Sequence, residues 1–400
     1  MHPAAFRRHP PQSLLETTMN ADRDYFIATL QQLVRINSIN PAFGDGTNES
    51  KVADWVCAEM ERLGMTARRF EAEPGRASVV GVLPGTGGGR SLMLYAHHDT
   101  VGTEGMEDPF SGELRDGRVY GRGSFDMKGG LAACLAAVKA LRDAGVRLPG
   151  DVLVAAVADE EVASIGIQEV LRHVTANAAI VTEPTDMAVG LAHKGFCWME
   201  VETFGRAAHG SRYDEGIDAN LRMGRFLARL DALEQRLRTS EPHPLVGPPS
   251  VHAAMLHGGT GASTYAASCK LTVERRMVPS ESEEEVVGQL RAIADELAAE
   301  DPTFRAEVRA TLTRGGFEVP ADAPIVRTVL DAAAGVLGQT PQTRGFGFWM
   351  DAAFLADAGI ETVVIGARGD GAHADVEWAN VESHLQLTEI LARAAVAYCG

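Results

Sequence analysis

The sequence predicts an α/β protein built on a mostly parallel sheet, and two features of the chain carry this prediction. Four apolar runs of strand length alternate with helical stretches; the runs are Ser91–Ala96, Val152–Ala158, Ala178–Val181 and Thr362–Gly366. Short apolar runs without polar alternation are typical of strands buried on both faces. Strands that alternate with helices form a parallel sheet whose faces the helices cover.

The folded chain is expected to begin near Asp22, where an amphipathic helix starts. Residues 1–19 lack the apolar core of a signal peptide, so we expect a disordered extension there or a start codon assigned upstream of Met19. A long helix rich in alanine and leucine is expected to begin near Gly130 and to stop at Gly145. The first helix carries its apolar residues at Phe26, Leu30, Leu33 and Val34.

The composition excludes several classes of partner. The chain has 400 residues and a formal net charge of -17, which disfavours nucleic acid and anionic membranes because both attract basic surfaces. The chain has no uninterrupted run of about 18 apolar residues, so we expect no transmembrane helix. The five cysteines are odd in number and lack close spacing, which indicates reduced thiols and a cytoplasmic location.

Polar residues that can bind metal or move protons follow each predicted strand. The carboxyl ends of parallel strands meet at one edge of a sheet, so we expect these side chains to gather there. In extended backbone His97 and Asp99 project to one side, and His98 projects to the other. One residue can then bind a metal while a neighbour orients it. The expected set is His97, Asp99, Asp126, Glu160, Glu161, Glu183 and His373.

Such a set indicates a divalent metal site. Several carboxylates in one place repel one another unless they are protonated or bound to cations. Two histidines with carboxylates suit zinc or a similar ion, and a bridging carboxylate lets five residues hold two ions. The alternative is that each acidic cluster is only a solvated loop or helix N-cap. Nucleotide binding is not expected, because no glycine-rich stretch has the spacing of a phosphate-binding loop.

With these residues in place, the chain resembles the M20 metallopeptidase and deacylase family from about residue 22 to the C-terminus. The resemblance rests on five motifs in a fixed order. They are His97–Val101, Gly121–Gly130, Asp159–Glu161, Glu183–Thr185 and the C-terminal His373.

The resemblance implies a catalytic domain with the fold of a zinc hydrolase and with two bound zinc ions, for which cobalt or manganese could substitute. By this resemblance, His97 and Glu183 would bind one ion. Glu161 and His373 would bind the other, and Asp126 would bridge the two.

The resemblance also implies catalytic roles. Glu160 would be the general base, and Asp99 would hold the imidazole of His97 from behind. Adjacent residues of an extended chain face opposite ways, which allows one glutamate to bind metal while its neighbour faces the reacting water. His98 is expected to be structural.

The middle of the chain predicts a second domain. Strands and helices follow one another in the order β-α-β-β-α-β, which resembles an inserted ferredoxin-like α+β lid domain that forms dimers in many family members. We therefore expect a catalytic domain of residues 20–194 and 311–400, a lid and dimerisation domain of residues 195–310, and a homodimer. The resemblance implies that His209 of a partner subunit stabilises the oxyanion.

Substrate recognition is expected to involve the lid. Arg276 matches an arginine that grips a substrate carboxylate in the family, a task suited to its planar paired donors, and Arg275 is a rival for it. Ser263, with Thr264 beside it, stands where many relatives carry an asparagine. The loop before His373 also departs from the family's Gly-Pro-Gly pattern. Both departures lie in regions that recognise substrate.

The predicted function is a two-zinc amidohydrolase that cleaves the amide bond of an N-acyl amino acid or a related small amide. A dipeptidase or carboxypeptidase with the same metal site is the alternative within enzymology. The alternative outside it is a catalytically silent binding protein, which the complete set of predicted ligands and Glu160 disfavours.

Overall fold

The computed structural model describes residues 19–44 and 47–400. The extension predicted for residues 1–19 lies outside this part of the chain, apart from Met19, which is buried. The chain divides into two compact units. The larger comprises the described residues up to Leu191 with Val319–Arg344 and Met350–Gly400, and the smaller comprises Ala192–Glu318 and Gly345–Trp349.

The helices and strands of the described residues are as follows. The α-helices are α1 (Arg23–Arg35), α2 (Ser50–Arg62), α3 (Gly129–Asp143), α4 (Ile165–Leu171), α5 (Ala219–Arg238), α6 (Glu283–Glu300), α7 (Pro324–Leu337), α8 (Ala352–Asp357) and α9 (Val381–Cys399). The strands are β1 (Thr66–Glu71), β2 (Ala77–Leu83), β3 (Leu92–His97), β4 (Glu113–Arg115), β5 (Arg118–Tyr120), β6 (Val152–Val157), β7 (Ala178–Val181), β8 (Val189–His193), β9 (Gly195–Phe204), β10 (Ser250–Gly258), β11 (Ser268–Met277), β12 (Arg305–Arg314), β13 (Phe317–Glu318), β14 (Thr343–Phe346), β15 (Glu361–Ile365), β16 (Gly369–Asp370) and β17 (Trp378–Asn380).

The larger unit is built on a sheet with the strand order β1-β2-β6-β3-β7-β15-β8. Its four central strands, β6, β3, β7 and β15, are parallel to one another. Strand β2 is antiparallel to β6, β8 is antiparallel to β15, and the edge strand β1 is antiparallel to β2. The predicted α/β class and parallel sheet are therefore confirmed. All residues of β3, β6 and β7 are buried, as expected for strands covered on both faces. Strand β3 extends one residue beyond the predicted run, because His97 pairs with Val157 of β6.

Helix α1 shows how the sequence specifies a local element. The Asp22 side chain accepts a hydrogen bond from the Tyr25 N–H group, which caps the first turn. The four predicted apolar positions of this helix are all fully buried. Helix α3 begins at Gly129, one residue before its predicted start, and runs to Asp143. Within the described residues, no helix is both long and apolar enough to cross a membrane.

A second, small sheet of the larger unit brings two distant segments together. Its strand order is β16-β17-β5-β4. Tyr120 of β5 pairs with Trp378 of β17, so the segment that leads to Asp126 lies beside the segment that follows His373. This pairing positions two of the predicted metal ligands.

The smaller unit is an antiparallel sheet with two helices. Its strand order is β10-β11-β9-β12, and the elements follow the chain as β9-α5-β10-β11-α6-β12. Residues of β9 and β11 alternate between buried and more exposed positions, because one face of the sheet packs into an apolar core. Helices α5 and α6 supply Phe226 and Leu290 to this core. The roles of lid and dimerisation domain remain predictions.

Candidate metal centre

One edge of the large sheet gathers two imidazoles and four carboxylates. His97 ends β3, and its Nε2 atom lies 3.3 Å from Asp126 Oδ1, 3.7 Å from Glu183 Oε1 and 3.9 Å from Glu160 Oε2. Glu160 follows β6, Glu183 follows β7 and Asp126 precedes α3. The carboxyl ends of the parallel strands therefore converge as the sequence predicts.

Asp126 lies between the two histidines. Its Oδ1 atom faces His97 Nε2 at 3.3 Å, whereas its Oδ2 atom faces His373 Nε2 at 3.4 Å. His373 also lies 3.0 Å from Glu161 Oε2. Each oxygen of a single carboxylate thus faces a different imidazole, which is the arrangement that a carboxylate shared by two metal ions requires.

The donor atoms fit a divalent metal. The atoms of His97, Asp126 and Glu161 lie within 4.8 Å of one another, and so do those of His97, Glu160 and Glu183. Mixed imidazole nitrogen and carboxylate oxygen donors suit zinc and similar ions. The structure brings all five predicted ligands into this one site.

The electrostatics of the site also favour a bound cation. Burial raises the pKa of Glu160 well above its ordinary value, and the charge of Glu183 raises it further. Burial likewise raises the pKa of Glu183. Hydrogen bonds to Asp126 and Glu161 raise the pKa of His373 to about 10. The buried carboxylates therefore lack enough nearby positive charge to ionise easily, and divalent cations would supply that charge.

Comparisons with known proteins agree with this geometry. A family model described as Peptidase family M20/M25/M40 matches residues 93–397. The chain belongs to this family. Acetylornithine deacetylase from Myxococcus xanthus is 34% identical over 359 residues, which cover 87% of this chain and 92% of that protein. The prediction of a metal-dependent hydrolase of amide bonds from the M20 family is therefore confirmed.

Solved structures of low sequence identity share the fold. Aminopeptidase PepT from Bacillus cereus superposes with a TM-score of 0.77 at 18% identity, over 96% of this chain and all of that chain (100%). The YXEP protein of Bacillus subtilis, described as a dinuclear metal-binding peptidase of the M20 family, gives a TM-score of 0.71 at 16% identity. That comparison covers 94% of this chain and 98% of the other.

Asp99 contacts the ring nitrogen of His97 that does not face the carboxylates of the site. Its backbone oxygen lies 3.1 Å from His97 Nδ1, and its carboxylate Oδ1 lies 3.4 Å from the same atom. The carboxylate also accepts hydrogen bonds from the backbone N–H groups of Glu160 and Glu161, at 3.1 and 3.3 Å. Asp99 therefore orients His97 so that Nε2 faces the carboxylates, and it holds the turn that presents both glutamates.

A buried layer behind Asp99 was not predicted from the sequence. Asn40 donates hydrogen bonds to Asp99 and to Asp159, and Arg76 pairs with both Asp159 and Glu49. Asp159 has a φ of 70°, a left-handed conformation that is uncommon outside glycine and starts the turn to Glu160. The hydrogen bonds of its side chain stabilise that conformation. The Asn40-Pro41 turn signal was the only trace of this layer in the sequence.

Two further pairs were also missed. The buried Tyr95 hydroxyl donates a hydrogen bond to Asp351, whose pKa is raised to about 7 by burial. Arg122 and Glu377 form a buried ion pair next to the Asp126 loop. Arg122 lies inside the predicted Gly121–Gly130 motif, and Glu377 stands four residues after His373, so their positions were visible but their contact was not.

Among the hydrogen bonds and ion pairs of the described residues, the His98 side chain makes none with a predicted ligand. Its Nε2 atom donates a hydrogen bond to the backbone oxygen of Ala77 at 2.9 Å, and burial lowers its pKa to about 4. A neutral imidazole that supports the backbone of a neighbouring strand is a structural residue, in line with the expectation for His98.

The other predicted site residues belong to the smaller unit. His209 Nδ1 lies 2.9 Å from Ser211 Oγ, and the backbone oxygen of Ser263 accepts a hydrogen bond from Gly210. His209 and Ser263 are therefore neighbours in this unit, as a bridge between His209 and Thr264 also shows.

The two candidate arginines differ in their surroundings. Arg275 is buried on the helix-facing side of β11 and pairs with Glu281. Arg276 is 35% exposed at its side chain, pairs with Glu274 at 3.0 Å and lies over the ring of Phe196. Successive residues of a strand face opposite sides of the sheet, so only Arg276 is available to a ligand.

Proposed function

We propose that this protein is a two-metal amidohydrolase that removes the acyl group from an N-acyl amino acid or a related small amide. The observation that carries the proposal is the placement of Asp126, whose two oxygens face His97 and His373. The similarity to an acetylornithine deacetylase supports the substrate class.

The proposed ligand set is the one that the family resemblance implies, and the distances between its side chains support it. His97 and Glu183 hold one ion, Glu161 and His373 hold the other, and Asp126 is shared between them. Zinc suits these donors best, and cobalt or manganese can take its place. When bound, the two ions would lower the pKa of a water molecule toward neutrality and polarise the substrate carbonyl.

Glu160 is the proposed general base and acid. Burial and the neighbouring Glu183 raise the pKa of its carboxyl group, which makes the carboxylate a stronger base toward a water proton. The Glu160 carboxylate takes one proton from the attacking water. It then donates this proton to the nitrogen of the breaking amide bond, which yields a carboxylic acid and an amine. The acid gives its remaining proton to the amine, so that a carboxylate and an ammonium ion leave the site. Asp99 maintains the orientation of Glu160 through the backbone N–H group.

The smaller unit contributes substrate recognition in this proposal. Arg276 binds the carboxylate of the amino acid, and Ser263 lies close to the substrate. His209 of a second copy of the chain donates a hydrogen bond to the tetrahedral oxyanion, so the active form is a homodimer. A cytoplasmic location is proposed because none of the five cysteines forms a disulfide.

The proposal is tested by replacing the base while the metal ligands are kept. Glu160→Gln is expected to abolish turnover, because the amide cannot take a proton from water, yet to bind two equivalents of zinc. Glu169→Gln is the matched control, since Glu169 lies on α4 and pairs only with Arg172 and His173 among the described ion pairs. Appreciable turnover by Glu160→Gln would disprove the role of Glu160.

The substrate class is tested in the same preparation. N-acetyl amino acids, N-succinyl amino acids and dipeptides are compared at equal concentration with the zinc-loaded protein. Preference for the N-acyl compounds is the expected result, and preference for dipeptides would establish the peptidase instead.

A further inference from the structure

Glu377 has a carboxylate saturated with hydrogen-bond donors. Its Oε2 atom accepts from Arg122 Nη1 at 2.7 Å and from the Gly123 N–H group at 3.0 Å. Its Oε1 atom accepts from the N–H groups of Phe125 and Asp126, at 2.9 and 3.0 Å. The side chain of Glu377 is fully buried, so no water competes for these bonds.

Three of the four donors belong to the backbone of the loop that presents Asp126. Backbone N–H groups that converge on one carboxylate fix the path of the chain, because each bond constrains the orientation of its peptide group. The backbone oxygen of Glu377 accepts a further bond from Gly121 at 3.1 Å. Glu377 thus shapes the loop from Gly121 to Asp126.

Arg122 connects the same loop to the segment of His373. Besides its bond to Glu377, its guanidinium donates to the backbone oxygen of Gly102 at 2.8 Å and to that of Ala374 at 3.0 Å. Ala374 directly follows His373 in the chain. The Arg122–Glu377 pair therefore holds Asp126 and His373 in a fixed relation.

We infer that Arg122 and Glu377 are positioning residues that set the affinity of the metal site formed by Asp126, Glu161 and His373. This inference rests on the ligand set proposed above. Across the described part of the chain, neither His97 nor Glu183 hydrogen-bonds to the pair, and His97 is oriented by Asp99 instead. Loss of the pair would disturb Asp126, which both proposed ions share, and in addition the segment of His373, which holds only one of them. The ion at His373 is therefore affected more than the ion at His97.

The test uses metal binding, which does not depend on turnover. Glu377→Gln keeps the size of the side chain but turns an NH₂ group toward donors. Metal-free protein is titrated calorimetrically with cobalt(II). The affinity for one of the two cobalt equivalents is expected to fall about 10- to 100-fold, the usual cost of losing a hydrogen-bonding partner of a metal ligand. The equivalent that weakens should be the one that His373→Gln also weakens.

A matched control separates positioning from general stability. Glu361 also accepts a backbone hydrogen bond, from Ile325 at 2.7 Å, but it lies at the start of β15 and away from the predicted ligands. Glu361→Gln should bind both cobalt equivalents as the unaltered protein does. Thermal unfolding of the unaltered protein, Glu377→Gln and Glu361→Gln shows whether each variant is folded before titration.

The result that overturns the inference is a folded Glu377→Gln protein that binds both equivalents with unaltered affinity, or that weakens both equally. If this variant does not fold, Arg122→Lys decides, since lysine keeps the charge but cannot reach all three oxygens. In Arg122→Lys, too, the affinity should fall for the cobalt equivalent that His373→Gln weakens. A protein that binds two ions in this way but hydrolyses no amide would disprove the proposed function and leave the positioning pair intact.

Discussion

Asn40 donates a hydrogen bond from its side-chain amide to the carboxylate of Asp99 at 3.0 Å, and both residues are fully buried. The same nitrogen donates to Asp159 at 2.8 Å. A single neutral donor thus separates two carboxylates, one of which holds the N–H groups of Glu160 and Glu161. The position of the turn that carries Glu160 and Glu161 therefore depends on this amide.

Asn40→Asp is expected to destabilise the protein by about 2–4 kcal/mol, because a carboxylate would replace the donor and face two others. Its pKa in the folded state would be raised, so the defect should be larger at about pH 8 than at about pH 5, where the protonated acid can donate. Chemical denaturation at both pH values measures this. Asn37→Asp is the control, since the Asn37 side chain accepts from the backbone of Ile39 and a carboxylate can do the same.

Metal binding is expected to release protons, with His373 as one source. Its pKa is raised to about 10 by Asp126 and Glu161, so the metal-free imidazole is protonated at neutral pH and must lose its proton to bind an ion. Affinity should therefore rise with pH up to that value. Calorimetry in buffers of different ionisation enthalpy counts the protons.

His373→Gln should release about one proton fewer than the unaltered protein. His173→Gln serves as the control, because His173 lies on the surface and pairs with Glu169 at 3.0 Å. An unchanged proton count in His373→Gln would contradict the prediction.

His384 should make the fold sensitive to acid. Burial lowers its pKa to about 4, and the ring stacks on Phe26 while Nδ1 donates to the Asn380 backbone oxygen. The unfolded chain binds a proton that the folded chain does not between pH 6.5 and 4, so stability falls as the pH falls through this range. His384→Asn keeps a donor and removes this titration.

The difference in the free energy of unfolding between about pH 7 and pH 5 should shrink by about 2 kcal/mol in His384→Asn. His173→Asn should leave that difference as it is. Urea denaturation at the two pH values provides the measurement, and an equal pH dependence in all three proteins would refute it.

Substitutions of the two adjacent arginines should have different effects, one on substrate binding and the other on stability. Arg276→Met is expected to raise KM for an N-acyl amino acid about 10- to 100-fold with little change in kcat, because it removes charged hydrogen bonds made in both the bound and transition states. Arg275→Met should lower stability by about 3 kcal/mol, since it leaves Glu281 without its cation. Steady-state kinetics and thermal unfolding of both variants check this, and the reverse pattern would assign substrate binding to Arg275.

Much of the centre could be predicted because strand ends are local features of the chain. The apolar runs before His97, Glu160 and Glu183 indicate buried parallel strands, and parallel strands place their carboxyl ends at one edge. The order of elements in the smaller unit could be predicted for the same reason, since alternation and helical periodicity are readable within a short window. The M20 motifs then assigned expected roles to the ligands.

The supporting contacts could not be predicted, because they join segments that no local pattern relates. Asn40 is 59 residues from Asp99, and Arg122 is 255 residues from Glu377. The sequence by itself determined which side chains reach the edge of the sheet. Only the tertiary structure decided that each oxygen of Asp126 faces a different histidine, because hydrogen bonds across distant loops depend on how the chain packs and not on which residue comes next.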